Sequence, residues 1–95
     1  MELIFEWDPK KAAYNRRKHR ITFDEAKSIF GDPYELMISD ADHSEEEQRS
    51  VSIGESEKGR LLLTVYTQVE NVIRLISARE AEGDEIAEYR QRRGA

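Results

Sequence analysis

Lys18 and His19 stand side by side, an ammonium next to an imidazole. Histidine is the side chain best suited to take up and release a proton near neutral pH. Arg60, Arg74 and Arg79 come later in the chain, and each can donate two parallel hydrogen bonds to the oxygens of an oxyanion. Proton transfer beside a developing negative charge is the chemistry these types can support. Each has a plainer reading. Basic residues at the end of a helix interact favourably with its dipole, and an exposed arginine commonly forms a surface salt bridge contributing about 0–1 kcal/mol. The acidic run Asp40, Asp42, His43, Glu45, Glu46 and Glu47 matches no established ligand frame, so no metal is expected. His43 and Glu47 serve better to orient an arginine such as Arg49, or to assist proton transfer. With no cysteine in the chain, a thiolate nucleophile, a disulfide framework and a zinc ribbon are excluded. No Gly-rich phosphate loop and no serine-nucleophile motif occurs either.

The elements that must position these groups follow from local pattern. Leu3 to Trp7 reads as a strand that stops at Asp8-Pro9. There Asp8 is a natural N-cap, and Pro9 at the first helical position has no N–H to leave unsatisfied. A first helix runs from Pro9 to about His19, with Ala12, Ala13 and Tyr14 as a thin apolar stripe. Thr22 and Glu25 form a capping box for a short second helix, with Phe23, Ala26, Ile29 and Phe30 at helical spacing. Gly31-Asp32-Pro33 supplies a glycine C-cap and a stop. Alternation then marks four strands, Tyr34 to Ser39, Arg49 to Ser56, Arg60 to Thr67 and Val72 to Arg79, with a polar loop over 40–48. A last helix spans Glu80 to Arg93. The order β-α-α-β-β-β-β-α is α+β with a mainly antiparallel sheet. Trp7, Phe23 and Phe30 are assigned to the core.

Taking 57–59 and 68–71 as hairpin loops pairs Ser56 with Arg60 and Thr67 with Val72, and places Arg60 across from Arg79. The same count puts Val51, Ile53, Leu61, Leu63, Val65, Ile76 and Ala78 on the face expected to pack on the helices, with Arg74 as its lone charge. Either a bulge turns Arg74 round, or it pairs near a strand end with a carboxylate such as Glu47. A slip of one residue would exchange the faces.

The 95 residues are the length of one domain, 1–95, carrying 15 Lys+Arg against 20 Asp+Glu for a net charge of -5. No apolar run approaches a membrane span, and the N-terminus lacks the pattern of a signal peptide, so the cytoplasm is expected. Charge is polarised. Residues 1–22 hold six basic groups against three acidic, residues 23–59 three against eleven, and residues 60–95 six against six. One pole is suited to phosphate and another to a basic partner, although solvated helix faces and loops would also carry such charge.

Three ordered blocks give the chain a family likeness. The first is Phe5-Glu6-Trp7-Asp8-Pro9-Lys10, Asn15, Lys18-His19 and Ile21 to Ala26. The second is Asp42-His43-Ser44, Glu47, Arg49, Ile53-Gly54 and Gly59-Arg60. The third is Ile73 to Arg79, with Ala81, Glu85 and Tyr89. In these the chain resembles the BrnT toxins of bacterial type II toxin–antitoxin systems. The resemblance implies a RelE-like ribonuclease fold and cleavage of RNA to stop translation. It also implies neutralisation by a BrnA-type ribbon-helix-helix antitoxin, through which DNA would be met only indirectly.

A metal-free ribonuclease needs a base for the 2′-hydroxyl, cations for the phosphate and an acid for the leaving oxygen, and no cofactor. Lys18, His19, Arg60, Arg74 and Arg79 are then the catalytic candidates, with His43, Glu47, Arg49 and Tyr89 in support. Tyr89 would stack on a base or donate to phosphate, or else pack in the core with Ile86. Lys10, Arg16 and Arg17 are the expected RNA contacts. The chain departs from the family in having Arg20 where glycine is common after Lys-His. It also has Glu80, Glu82, Asp84, Glu85 and Glu88 where the family often has a basic segment. Those losses weaken phosphate attraction and keep open a second reading, a catalytically weak subunit that binds a DNA-binding antitoxin and modulates operon repression.

Overall fold

The computed structural model describes residues 2–39 and 49–94; His43 and Glu47 lie outside them. Strand β1 (Ile4–Trp7) leads into α1 (Pro9–His19), with the Asp8 carboxylate accepting the Lys10 N–H at 3.0 Å. The Thr22 hydroxyl caps α2 (Phe23–Lys27) by accepting the Glu25 N–H at 3.1 Å, and a 3₁₀ turn over Ser28–Gly31 continues it. Four strands follow, β2 (Leu36–Ser39), β3 (Ser50–Glu55), β4 (Leu61–Val69) and β5 (Val72–Glu80), and α3 (Gly83–Gly94) closes the chain. The sheet order is β1-β5-β4-β3-β2, with β1 parallel to β5 and every other pair antiparallel. The α+β class and the order of helices and strands are as the sequence implies.

The helix ends differ from expectation. Gly31 is not the left-handed cap; Asp32 ends the 3₁₀ turn in extended backbone. The left-handed C-cap belongs to α1 and is Arg20, at φ 60° and ψ 31°. That conformation suits glycine and costs a side chain with a Cβ. The last helix begins three residues later than its composition implied, because β5 runs on to Glu80.

Register is the larger correction. Ser56 does meet Arg60, its N–H donating to the Arg60 carbonyl at 2.8 Å. The β4–β5 turn, however, is only Glu70-Asn71, with Val69 opposite Val72 and Glu70 at φ 54°. A bulge then lies between Val65 and Tyr66, where Val65 pairs with Ser77 and Tyr66 with Leu75, leaving Ile76 as the extra residue. Arg79 therefore stands opposite Leu63, and Arg60 does not face it.

The faces are exchanged as well, except at Ala78 beyond the bulge. Leu62, Tyr66, Ile73, Leu75 and Ala78 pack on Ile21, Phe23, Ala26 and Ile29 of the α1–α2 layer. Ile53 and Leu63 meet Tyr89 of α3 on the other side. Counting apolar residues failed because both faces are covered. Serine and threonine also enter the first core, where Ser52 is fully buried through a 2.7 Å hydrogen bond with the Tyr66 hydroxyl. Trp7 and Phe30 flank this core, with Trp7 edge-on to Phe23 at 5.8 Å. Gly54 lets β3 approach the 3₁₀ turn: a Cβ there would sit 2.9 Å from Ile29 Cβ.

Candidate active site

Helix α1 has two working sides. Ala12, Asn15 and His19 recur at three- and four-residue spacing and so share one face. Asn15 is buried. Its Nδ2 donates to the carbonyls of Ile21 at 3.0 Å and Ala78 at 2.8 Å, and its Oδ1 accepts the Ala78 N–H at 2.9 Å. β1 stops pairing with β5 at Leu75, so the Asn15 amide takes the place of a neighbouring strand at Ala78 and holds the end of α1 against β5. One helical turn on, His19 lines a cleft together with Arg79.

The Ile76 bulge decides what the cleft contains. Arg74 and Arg79 are five residues apart, which would send them to opposite faces of a regular strand. The extra residue brings both to the face away from α1 and α2. Of the two alternatives for Arg74, the bulge is present and a carboxylate pairs with it too. That carboxylate is Glu6, its register partner on β1, at 3.0 Å. Arg79 lines a cleft of about 490 Å³ with His19, Ser77 and Glu85 over a floor that includes Ile38, Val51, Leu63 and Val65.

Glu85 grips Arg79 in a two-bond fork, Nη1 to Oε1 at 3.0 Å and Nη2 to Oε2 at 2.8 Å. Glu85 Oε1 also accepts the Glu82 N–H at 2.8 Å, so the carboxylate caps α3 while it orients the guanidinium. The Arg79 bond holds Glu85 below the usual carboxylate range despite burial, and the same bond raises Arg79 above its ordinary value. At neutral pH both are ionised. The cleft thus offers an imidazole, a forked cation and a carboxylate above an apolar base, a setting for proton transfer beside an anion. Among the described residues no group of three or more His, Asp or Glu side chains is arranged to hold a metal.

A family model described as "Ribonuclease toxin, BrnT, of type II toxin-antitoxin system" matches residues 7–85. The chain belongs to the BrnT family. Its fold is similar to that of the Brucella abortus ribonuclease toxin BrnT, known from a crystal structure. The TM-score is 0.62 at 21% identity, over 87% of this chain and 99% of that one. Curated protein sequences contain no match. No helix among the described residues is long and apolar enough to cross a membrane.

The BrnT-like residues separate into those that meet at the cleft and those that do not. His19 and Arg79 meet there. Lys18, beside His19, is exposed, its ammonium 5.6 Å from the centre of the Tyr14 ring. Arg60 is elsewhere. Its Nε donates to Glu25 Oε2 at 3.0 Å and its Nη2 to Glu25 Oε1, while the Ser56 hydroxyl donates to the same carboxylate at 2.7 Å. That fork ties α2 to the β3–β4 turn, and Arg60 and Ser56 together hold buried Glu25 below the usual carboxylate range. Tyr89 is buried and donates to Asp32 at 2.6 Å; burial, aided by that hydrogen bond, pushes its phenol up to about 12. Tyr89 packs in the second core with Ile53 and Leu63.

Arg49 and Lys10 are exposed, and Arg16 and Arg17 line a second concavity. The roles of Asn15, Glu85 and Glu6 escaped the sequence reading, although all three stood in its family blocks. An asparagine inside a helix, where it is a poor former, was the available signal for Asn15.

Proposed function

We propose that this chain is an endoribonuclease toxin that cleaves RNA in the His19–Arg79 cleft by metal-independent acid–base chemistry. In that reaction a base takes the proton of a ribose 2′-hydroxyl and O2′ bonds to phosphorus. The P–O5′ bond breaks and the departing 5′-oxygen receives a proton, giving a 2′,3′-cyclic phosphate and a 5′-hydroxyl end. His19 handles the proton, Arg79 neutralises the phosphate oxygens, and Lys18, exposed beside His19 in the chain, adds a second cation. Glu85 keeps the guanidinium oriented until phosphate takes its place. Arg60 holds the fold together and is left out of the chemistry, as is Tyr89. The observation that carries the reading is the convergence of His19 and Arg79 on one cleft through the Asn15 bridge and the Ile76 bulge. Neutralisation falls to a BrnA-type ribbon-helix-helix antitoxin, which alone would contact DNA, and the cytoplasm is where RNA and antitoxin would be met.

One observation favours a second reading. Arg79 is already occupied by Glu85, as it would be in a weakly catalytic subunit whose work is to bind an antitoxin. Expression of the chain without a partner separates the two, with growth and cellular RNA followed together and the His19→Ala, Arg79→Ala double variant as control. Arrest with fragmented RNA, absent in the soluble control, supports the ribonuclease. Normal growth with intact RNA and soluble protein favours the antitoxin-binding subunit.

A further inference from the structure

A second side of α1 is built differently. Residues 13, 16 and 17 fall within about 100° of one another around a helix of 3.6 residues per turn with Asn15 opposite them, His19 lies about 60° round from Arg16, and Arg20 follows as the C-cap. Ala13, Arg16, Arg17 and Arg20 line a concavity of about 780 Å³ that is completed by Thr22 at the start of α2. The small side chain of Ala13 leaves the floor open.

Three cations cluster in this concavity without carboxylate partners among the described residues. Arg60, Arg74, Arg79 and Arg93 each have a carboxylate partner. Arg16, Arg17 and Arg20 have none among the described residues. Three like charges at spacings of one, three and four residues repel one another on a helix surface. Arg20 carries a second cost, since it occupies the left-handed cap where glycine would rest without strain. The helix dipole favours cations at this end, but it does not require them to share one hollow or to include the strained cap. An anion seated among the three guanidiniums relieves the repulsion.

We propose that this concavity anchors the phosphate chain of single-stranded RNA outside the cleft, through Arg16, Arg17 and Arg20. The inference rests on the ribonuclease reading for the identity of the anion. A single strand is favoured over a duplex by geometry. Cleft and concavity flank one helix end about 10–12 Å across, so a chain serving both must bend around it, which a single strand does more readily than a stiff duplex. Arg20 would supply phosphate contact that the acidic start of α3 takes away on the cleft side.

The test is the salt dependence of binding, read by fluorescence anisotropy with a labelled, unstructured 2′-O-methyl RNA of roughly 16 nucleotides. Such an RNA has no free 2′-hydroxyl and is not cut, so binding is read whether or not the chain proves to be a ribonuclease. Each phosphate contact contributes about 0.7 to the slope of log K against log salt for a single strand, so Arg17→Gln with Arg20→Gly lowers the slope by about 1.4. Lys58→Gln with Arg90→Gln removes as much charge elsewhere and leaves the slope as it was. An equal fall in both double variants, or no fall in either, overturns the anchoring site. So does a duplex of the same sequence that binds as tightly and loses as much in the Arg17, Arg20 variant. Failure of the parent chain to cut ordinary RNA, with the slope difference intact, defeats the ribonuclease reading and leaves the RNA-anchoring site standing.

Discussion

Two arginine–glutamate forks of the same chemistry serve different ends in this molecule. Arg60 grips Glu25, whose side chain is 1% exposed, and the Ser56 hydroxyl completes the shell around that carboxylate. Arg79 grips Glu85, 23% exposed, at the wall of an open cleft with His19 beside it. A buried fork cannot release its guanidinium without stranding a carboxylate in the protein interior. At the cleft wall, water or a phosphate can replace the partner. The position of the carboxylate, more than the arginine, separates a strut from a binding group.

Substituting the two arginines separates the roles most sharply. Arg79→Ala should lower RNA cleavage by about 10²–10³-fold, the range seen when one donor to a developing oxyanion is lost. Its melting temperature should change little. Arg60→Ala should do the reverse and cost about 3 kcal/mol of stability, since Glu25 is left buried without its cation. Denaturant melts and cleavage rates on both variants check the pair; a stability loss of equal size in each would erase the distinction.

Acid sharpens the same contrast by a smaller amount. Glu25 and Glu85 are both held below the ordinary carboxylate value of 4.5. Their contribution is therefore full above that pH and is lost as pH falls through their folded values. Without Arg60, burial, which favours the protonated form of Glu25, is opposed chiefly by the smaller effect of the Ser56 hydrogen bond. The stability gap between parent and Arg60→Ala should consequently narrow below pH 4.5, and a melting series across that pH measures it. The gap for Arg79→Ala should narrow less, because Glu85 is more exposed. The smallest effect is expected at the α1 cap, where Arg20→Gly should raise stability by about 1 kcal/mol through release of the left-handed strain.

Much of this arrangement was legible before the fold was known. The caps at Asp8 and Thr22 placed both N-terminal helices, and alternation placed the strands. The site was only half legible, because it depends on two features that period-two counting cannot register. The tight Glu70-Asn71 turn shifted β5 against β4, and the Ile76 bulge reversed which residues Arg79 accompanies. Arg60 was drawn to Arg79 by the longer loop assumed for that hairpin, while its real partner, Glu25, stood in plain view as the last residue of a capping box. That carboxylate lies 35 positions away in sequence, a separation no local pattern spans. Glu85 looked like a loss of positive charge and is instead the group that aims Arg79.

The most direct measurement is the initial rate of cleavage of a single-stranded RNA by the purified chain in the presence of a metal chelator, alongside His19→Ala of verified fold. The account predicts cleavage that survives the chelator, leaves 2′,3′-cyclic phosphate ends, and falls by about 10²–10⁴-fold in His19→Ala, the range of a lost acid–base group. Equal rates in parent and variant, or cleavage abolished by the chelator alone, would contradict it.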